Sequence, residues 1–183
     1  MALVLLLGGA RSGKSRLAVS LAHERAGPVT VLVTAEARDE EMQARIAAHR
    51  AERPGGWETI EEPLLLEAAV AAVPPERTLV LDCLSLWVAN LLERGDTPDE
   101  IAAAAARAAR LAAERSALTV TVSNEVGSGV VPATPLGRLY RDVLGTVNRV
   151  WSDAASQAVL VVAGRVLPLR RVDTISVPAE GAS

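Results

Sequence analysis

A layered α/β fold with a mostly parallel central sheet is predicted by three observations. Short apolar, β-branched runs alternate along the chain with longer segments of helical apolar spacing. The core must be aliphatic, because hydrophobic residues make up 50% of the chain while Phe is absent and aromatics are 2%, which suits strands buried on both faces. The first apolar run also leads at once into a glycine-rich turn and then a helical pattern. At 183 residues the chain is long enough for one well-buried core and reads as a single domain, 1–183.

Taken in order, LVLLL (3–7) reads as a strand, GGARSGKS (8–15) as a turn and 15–25 as a helix. VTVLV (29–33) is the next strand, followed by helical segments at 39–53 and 63–73. TLVLD (78–82) is a strand, 84–94 and 98–116 are helices, LTVTVS (118–123) is a strand, 136–156 a helix and AVLVVAG (158–164) a strand. The run IAAAAARAARLAAERSA (101–117) is alanine-biased but periodic, hence a surface helix. The tail, 171–183, carries no strong pattern and is expected to be loosely held. Strands joined through helices run parallel, and in such sheets the ligand sits outside the carboxyl ends of the strands. That rule directs attention to residues 8–15, 34–38, 82–85, 123–129 and 164–165.

A net charge of −3 and a pI near 5.5 provide no basic field for nucleic acid, which is not expected as a partner. The one cysteine, Cys83, excludes an internal disulfide framework and fits a reducing compartment. There is no apolar run of membrane-spanning length and no leader pattern, so a cytoplasmic location without membrane insertion is expected.

Residues 8–15 fit GxxxxGK[ST], with Gly8, Gly13, Lys14 and Ser15 in the defining places, between a strand and a helix as the motif requires. The glycines let the backbone curl with its N–H groups inward, and the following helix points its positive end at the phosphates. Lys14 is the sole lysine of a chain that otherwise uses arginine. A slim ammonium reaches between β- and γ-phosphate oxygens where a planar guanidinium would not. Ser15 offers a hydroxyl to Mg2+, and Asp82, ending TLVLD, supplies the strand-end carboxylate that such sites use for the metal. An ordinary strand-end turn or cap is the competing reading of Asp82.

The chain has two histidines. His23 falls at the far end of the first helix and reads as surface or packing. His49 shares a helical face with Met42 and Ile46 and is flanked by Arg45 and Arg53 at four-residue steps. A neutral imidazole among arginines is a competent nucleophile toward phosphorus, yet from the residues alone packing or surface is the commoner role of a lone helical histidine, and spacing leaves both readings open. The same holds for Arg45 and Arg50, which a solvated face also explains, whereas Arg53 in its ERP turn favours a ligand role.

The blocks GGARSGKS, TAEA, DEEMQARIAAHRAERPGGWETIEEP, LVLDCLSLWVANLL and VSNEVGSGVVPATPLGRLYRDVLGTVNR, in this order, resemble the bifunctional adenosylcobinamide kinase / adenosylcobinamide-phosphate guanylyltransferase family of cobalamin biosynthesis. The likeness runs from about residue 3 to 169, and the last two blocks are not general phosphate-loop features. The resemblance implies a three-layer, P-loop NTPase-like (RecA-like) fold and an enzyme running two transfers. A hydroxyl of adenosylcobinamide would take the γ-phosphoryl of ATP or GTP. His49 would then take GMP from GTP and pass it to adenosylcobinamide-phosphate, giving adenosylcobinamide-GDP. It further implies that Gly8, Gly9, Ala10, Arg11, Ser12, Gly13, Lys14 and Ser15 form the nucleotide loop. Thr34, Ala35, Glu36, Ala51, Glu52, Arg53, Pro54, Glu61 and Asp82 fall where the family contacts GTP, with Glu36 standing where the family commonly carries a neutral glutamine. A homotrimer with the site between subunits is implied as well. From the residues alone, a phosphate-loop kinase of another pathway and a non-catalytic nucleotide-binding module remain as alternatives. The segment 122–135, after a strand's carboxyl end and carrying Gly127 and Gly129, is expected to be a functional loop closing over a ligand.

Overall fold

The computed structural model describes residues 2–36, 40–51 and 54–172, with the backbone alone at 41, 42, 45, 46, 48 and 49. The elements follow the order β1 (Ala2–Leu7), α1 (Lys14–His23), β2 (Val29–Val33), α2 (Glu40–Ala51), β3 (Glu58–Glu61), α3 (Leu66–Ala72), β4 (Thr78–Asp82), α4 (Leu84–Arg94), α5 (Pro98–Glu114), β5 (Leu118–Val122), α6 (Pro135–Ala154), β6 (Gln157–Val162) and β7 (Arg165–Leu169). They form one seven-stranded sheet in the order β3-β2-β4-β5-β1-β6-β7. All neighbours pair in parallel except β7, which returns antiparallel on β6.

β2 and β5 are buried along their whole length and β4 in all but its last residue, as expected of central strands covered on both faces. Their alternate side chains feed two cores. On one face Leu3, Leu5, Leu32, Leu79 and Leu81 pack with Leu66 and Val70 of α3, Trp87 and Leu91 of α4, Ile101, Ala105 and Ala109 of α5, and Leu144, Val147 and Trp151 of α6. On the other, Leu6, Val31, Val80, Val120 and Val161 pack against Ala18 and Ala22 of α1. The alanine-rich segment is therefore a helix with one wholly buried alanine stripe, which lets it lie close to the sheet. Its start is defined by a capping box between Thr97 and Glu100, with Pro98 in the first turn. The hydrogen bonds from Thr97 hold the Glu100 carboxyl below its ordinary pKa.

Two strands go beyond the sequence expectation. β3 (ETIE) is a four-residue edge strand with exposed glutamates at both ends, too short and too polar to register as an apolar run. β7 (RVLPL) is exposed at each position and contains Pro168, which an edge strand tolerates because the missing N–H need not meet a neighbour. The turn before it runs through Ala163 and Gly164, at φ 50° and 74°. Residues 173–183 of the tail lie outside the described residues.

Candidate nucleotide site

Loop 8–15 leaves the carboxyl end of β1 and becomes the first turn of α1. Its curl uses left-handed backbone at Arg11 (φ 55°) and Gly13 (φ 103°), and Gly13 opens the helix with no side-chain cap, leaving the first N–H groups for a ligand. Gly8 is fixed by crowding as well as by its φ of 152°: a Cβ there would overlap the carbonyl oxygen of Val161 in β6. Gly8→Ala is expected to lower stability by about 2 kcal/mol and weaken nucleotide binding at least tenfold. Urea unfolding and nucleotide titration check this.

Lys14 is only 6% exposed. Its Nζ donates to the carbonyl oxygens of Gly8 at 2.7 Å and Gly9 at 2.6 Å, and lies 3.4 Å from Ser12 Oγ. The ammonium thus sits within the loop it is expected to serve. Neighbouring segments brace the loop: the Glu125 N–H donates to Gly8 O at 3.1 Å and the Gly164 N–H to Ser12 O at 2.9 Å. Gly9, Ala10 and Arg11 are exposed, Ser12 is buried, and Gly13 and Ser15 are half-buried at the mouth of α1.

A belt of polar side chains lies across the carboxyl ends of β2, β4 and β5, and sequence reasoning missed most of it. Thr34 is buried, with its N–H on Asp82 O at 3.1 Å. Its hydroxyl donates to Cys83 O at 2.6 Å and accepts from Cys83 N at 3.1 Å. The end of β2 is thereby tied to the turn that carries half-buried Asp82. Asn90 of α4 donates to the carbonyls of Thr34 (2.8 Å) and Pro63 (3.1 Å). Ser85 lies 3.0 Å from Cys83 Sγ, receives Asn124 Nδ2 at 3.0 Å, and its carbonyl accepts the Tyr140 hydroxyl at 3.2 Å. Asn148 takes Ser123 Oγ at 2.6 Å and donates to Asn124 O at 3.0 Å. The strand-end rule marks Thr34, Ser85, Ser123 and Asn124, and polar residues interrupt the apolar runs in LDCLSLWVAN and VSN, but no sequence signal ties Asn90, Tyr140 or Asn148 to them.

Burial raises the Cys83 thiol pKa, and the Asp82 carboxylate adds to it. Burial likewise pushes the Tyr140 phenol up to about 12, with Cys83 contributing and the Ser85 hydrogen bond opposing. Both stay protonated at neutral pH and act as scaffold rather than as nucleophiles.

The structure brings Gly8, Gly9, Ala10, Arg11, Ser12, Gly13, Lys14, Ser15, Thr34, Ala35, Glu36 and Asp82 to the carboxyl edge of the sheet, at the ends of β1, β2 and β4, with β5 between β4 and β1. Glu61 ends β3, and its carboxylate is 2.7 Å from Arg50 of α2, an exposed ion pair across the edge of the sheet. Ala51 closes α2 and half-buried Pro54 follows. The backbone of His49 is helical, while its side chain and that of Arg45 lie outside the description, as do Glu52 and Arg53 entirely. His23 is exposed at the end of α1, in keeping with a surface role. In the 122–135 segment the Glu125 carboxylate gathers the N–H groups of Gly127 (2.6 Å) and Ser128 (3.2 Å) into a turn, and Val130 and Val131 are exposed.

The family model for cobinamide kinase / cobinamide phosphate guanyltransferase matches residues 4–169, a span that includes the phosphate loop, the strand-end belt and β7. The chain belongs to that family. It is 42% identical over 167 residues to the bifunctional adenosylcobalamin biosynthesis protein CobP of Pseudomonas aeruginosa, covering 91% of this chain and 96% of that one. The bifunctional adenosylcobalamin biosynthesis proteins CobU of Escherichia coli and Salmonella typhimurium are 39% and 37% identical, each match covering 88% of this chain and 96% of the relative. Among solved structures, a protein of Pyrococcus horikoshii OT3 superposes with a TM-score of 0.59 at 8% identity, over 93% of this chain and 87% of that one. A prototypical ATPase of a bacterial type III secretion system superposes with a TM-score of 0.57 at 11% identity, over 87% of this chain and 50% of the other. These two likenesses concern the fold alone, which is the three-layer α/β P-loop fold of the family member described here.

Proposed function

We propose that this protein, as one 183-residue catalytic domain, phosphorylates adenosylcobinamide and then converts the product to adenosylcobinamide-GDP. One observation carries the nucleotide half of the reading: a phosphate loop with the buried Lys14 ammonium inside it, at the same carboxyl edge of the parallel sheet as Asp82, with β5 between their two strands. Family membership supports the choice of substrates.

In the first transfer the N–H groups of residues 8–15 and the Lys14 ammonium hold the phosphates of ATP or GTP and stabilise charge developing on the γ-phosphoryl. Ser15 and Asp82 would hold Mg2+. The pair fits, since a hydroxyl and a carboxylate are the hard oxygen donors that ion takes, with phosphate oxygens and water completing its shell. When bound, Mg2+ neutralises phosphate charge. Thr34 fixes the turn bearing Asp82 and thereby sets the start of the Ala35–Glu36 loop, which, with Ala51, Glu52, Arg53, Pro54 and Glu61, is assigned to the rest of GTP.

In the second transfer neutral His49 attacks the α-phosphorus of GTP and pyrophosphate leaves. The phosphate of adenosylcobinamide-phosphate then displaces the imidazole and carries the GMP away. An ordinary imidazole is mostly neutral at pH 7, so this step weakens in acid. A corrinoid is large for a chain of this size, and a homotrimer with the site between subunits would supply the missing surface. A cytoplasmic location completes the proposal; among the described residues no helix is long and apolar enough to cross a membrane.

Chromatography of a reaction holding protein, Mg2+, GTP and adenosylcobinamide tests the reading. Sequential appearance of adenosylcobinamide-phosphate and adenosylcobinamide-GDP is expected. Bound nucleotide with neither product would leave only a binding module, and phosphorylation of a different small hydroxyl compound in its place would favour another kinase.

A further inference from the structure

Asn124 follows β5, the strand that lies between the strand bearing the phosphate loop and the strand bearing Asp82. β5 is flanked by β1 and β4, with Val122 opposite Leu6 on one side and Asp82 on the other. The bond from Glu125 N–H to Gly8 O, at 3.1 Å, carries this alignment past the strand's end. Adjacent strands lie about 5 Å apart, so Asn124 stands one strand spacing from the start of the phosphate loop.

The residue is held from two sides. Its carbonyl accepts from Asn148 Nδ2 at 3.0 Å and its own Nδ2 donates to buried Ser85 Oγ at 3.0 Å. A carboxamide is planar, so with Nδ2 on Ser85 the Oδ1 is directed away from that contact. Oδ1 has no hydrogen-bond partner among the described residues, although Asn124 is half-buried. A fixed, half-buried acceptor without a donor at the ligand edge of the sheet is suited to a donor from the ligand.

We propose that the Asn124 carboxamide oxygen accepts a hydrogen bond from the attacking hydroxyl of the phosphoryl acceptor and so aligns that oxygen with the γ-phosphorus. This rests on the kinase reading above. A neutral amide accepts a hydrogen bond but not a proton, so its contribution is alignment rather than base catalysis. The hydroxyl oxygen bonds the γ-phosphorus as the bond to the β–γ bridging oxygen breaks, and that electron pair leaves with the nucleoside diphosphate. The hydroxyl proton passes to an oxygen of the transferred phosphoryl group and from there to solvent. In the GMP transfer to His49 the nucleophile is an imidazole and the centre is the α-phosphorus, so Asn124 has no hydroxyl to align.

The test compares wild type, Asn124→Ala and Asn124→Asp in two assays: steady-state phosphorylation of adenosylcobinamide, and labelling of the protein by α-labelled GTP. Asn124→Ala should lose about a hundredfold in kinase kcat, with KM for the nucleotide within threefold and GMP labelling within twofold of wild type. Asn124→Asp, which keeps an acceptor oxygen in place, should recover at least tenfold of that loss. Kinase turnover of the Ala variant within threefold of wild type, kinase and labelling falling together, or an Asp variant no better than Ala would each overturn the proposal while the wild-type activities stand. A wild-type protein showing neither activity overturns the kinase reading and this proposal with it.

Discussion

His49→Ala is expected to go on phosphorylating adenosylcobinamide at a rate within a few-fold of wild type while forming no detectable adenosylcobinamide-GDP. A covalent route through an imidazole has no substitute once the nucleophile is gone, and such losses run to about 10³-fold or more. The fold should tolerate the change. His49 lies within the helix Glu40–Ala51, where alanine is the best helix former, and the Arg50 to Glu61 ion pair that links this helix to β3 does not involve it. The measurement is a time course of both corrinoid products in one pot. Accumulation of the phosphate is the expected result, and undiminished adenosylcobinamide-GDP would remove His49 from the mechanism.

Lys14→Arg should depress the kinase reaction by about 10² to 10³-fold, the scale of losing one aligned charge in a closed site. Retained positive charge does not rescue it, because the obstacle is shape. The ammonium nitrogen lies 2.7 Å and 2.6 Å from two loop carbonyls in a site where the residue is 6% exposed. A planar guanidinium needs more room and a different donor geometry. Circular dichroism and the unfolding midpoint should move little compared with turnover, since α1 gains its stability from Ala18 and Ala22 against the sheet. Full turnover in the Arg variant would refute the role given to the lysine. The same substitution should weaken GMP transfer, as both reactions draw on one phosphate loop.

Features confined to a contiguous stretch were legible before the structure. The phosphate loop is a local motif, β2 and β4 are apolar runs whose limits match the strands, and α4 spans Leu84–Arg94 as its spacing indicates. The edge strands were not legible: β3 is only four residues, ETIE, with glutamate at both ends, and β7 carries a proline that argues against a central strand. The polar belt was hidden for a different reason. Thr34, Ser85 and Asn124 fall in strand-end segments the sequence already marks, but Asn90, Tyr140 and Asn148 lie in helices away from them, and only the strand order places all six together. His49 marks the limit of spacing arguments, since helical periodicity serves a packing residue and a nucleophile alike. There the likeness of the surrounding blocks, and not the periodicity, singled the residue out.

In the proposed mechanism one phosphate-loop site serves two transfers, the second through His49. Incubating the wild-type protein with α-labelled GTP and Mg2+, digesting it, and mapping the label tests that claim most directly. An acid-labile, base-stable label is expected on the peptide containing His49, chased off by adenosylcobinamide-phosphate. Absence of label, or label on a different peptide, would contradict it.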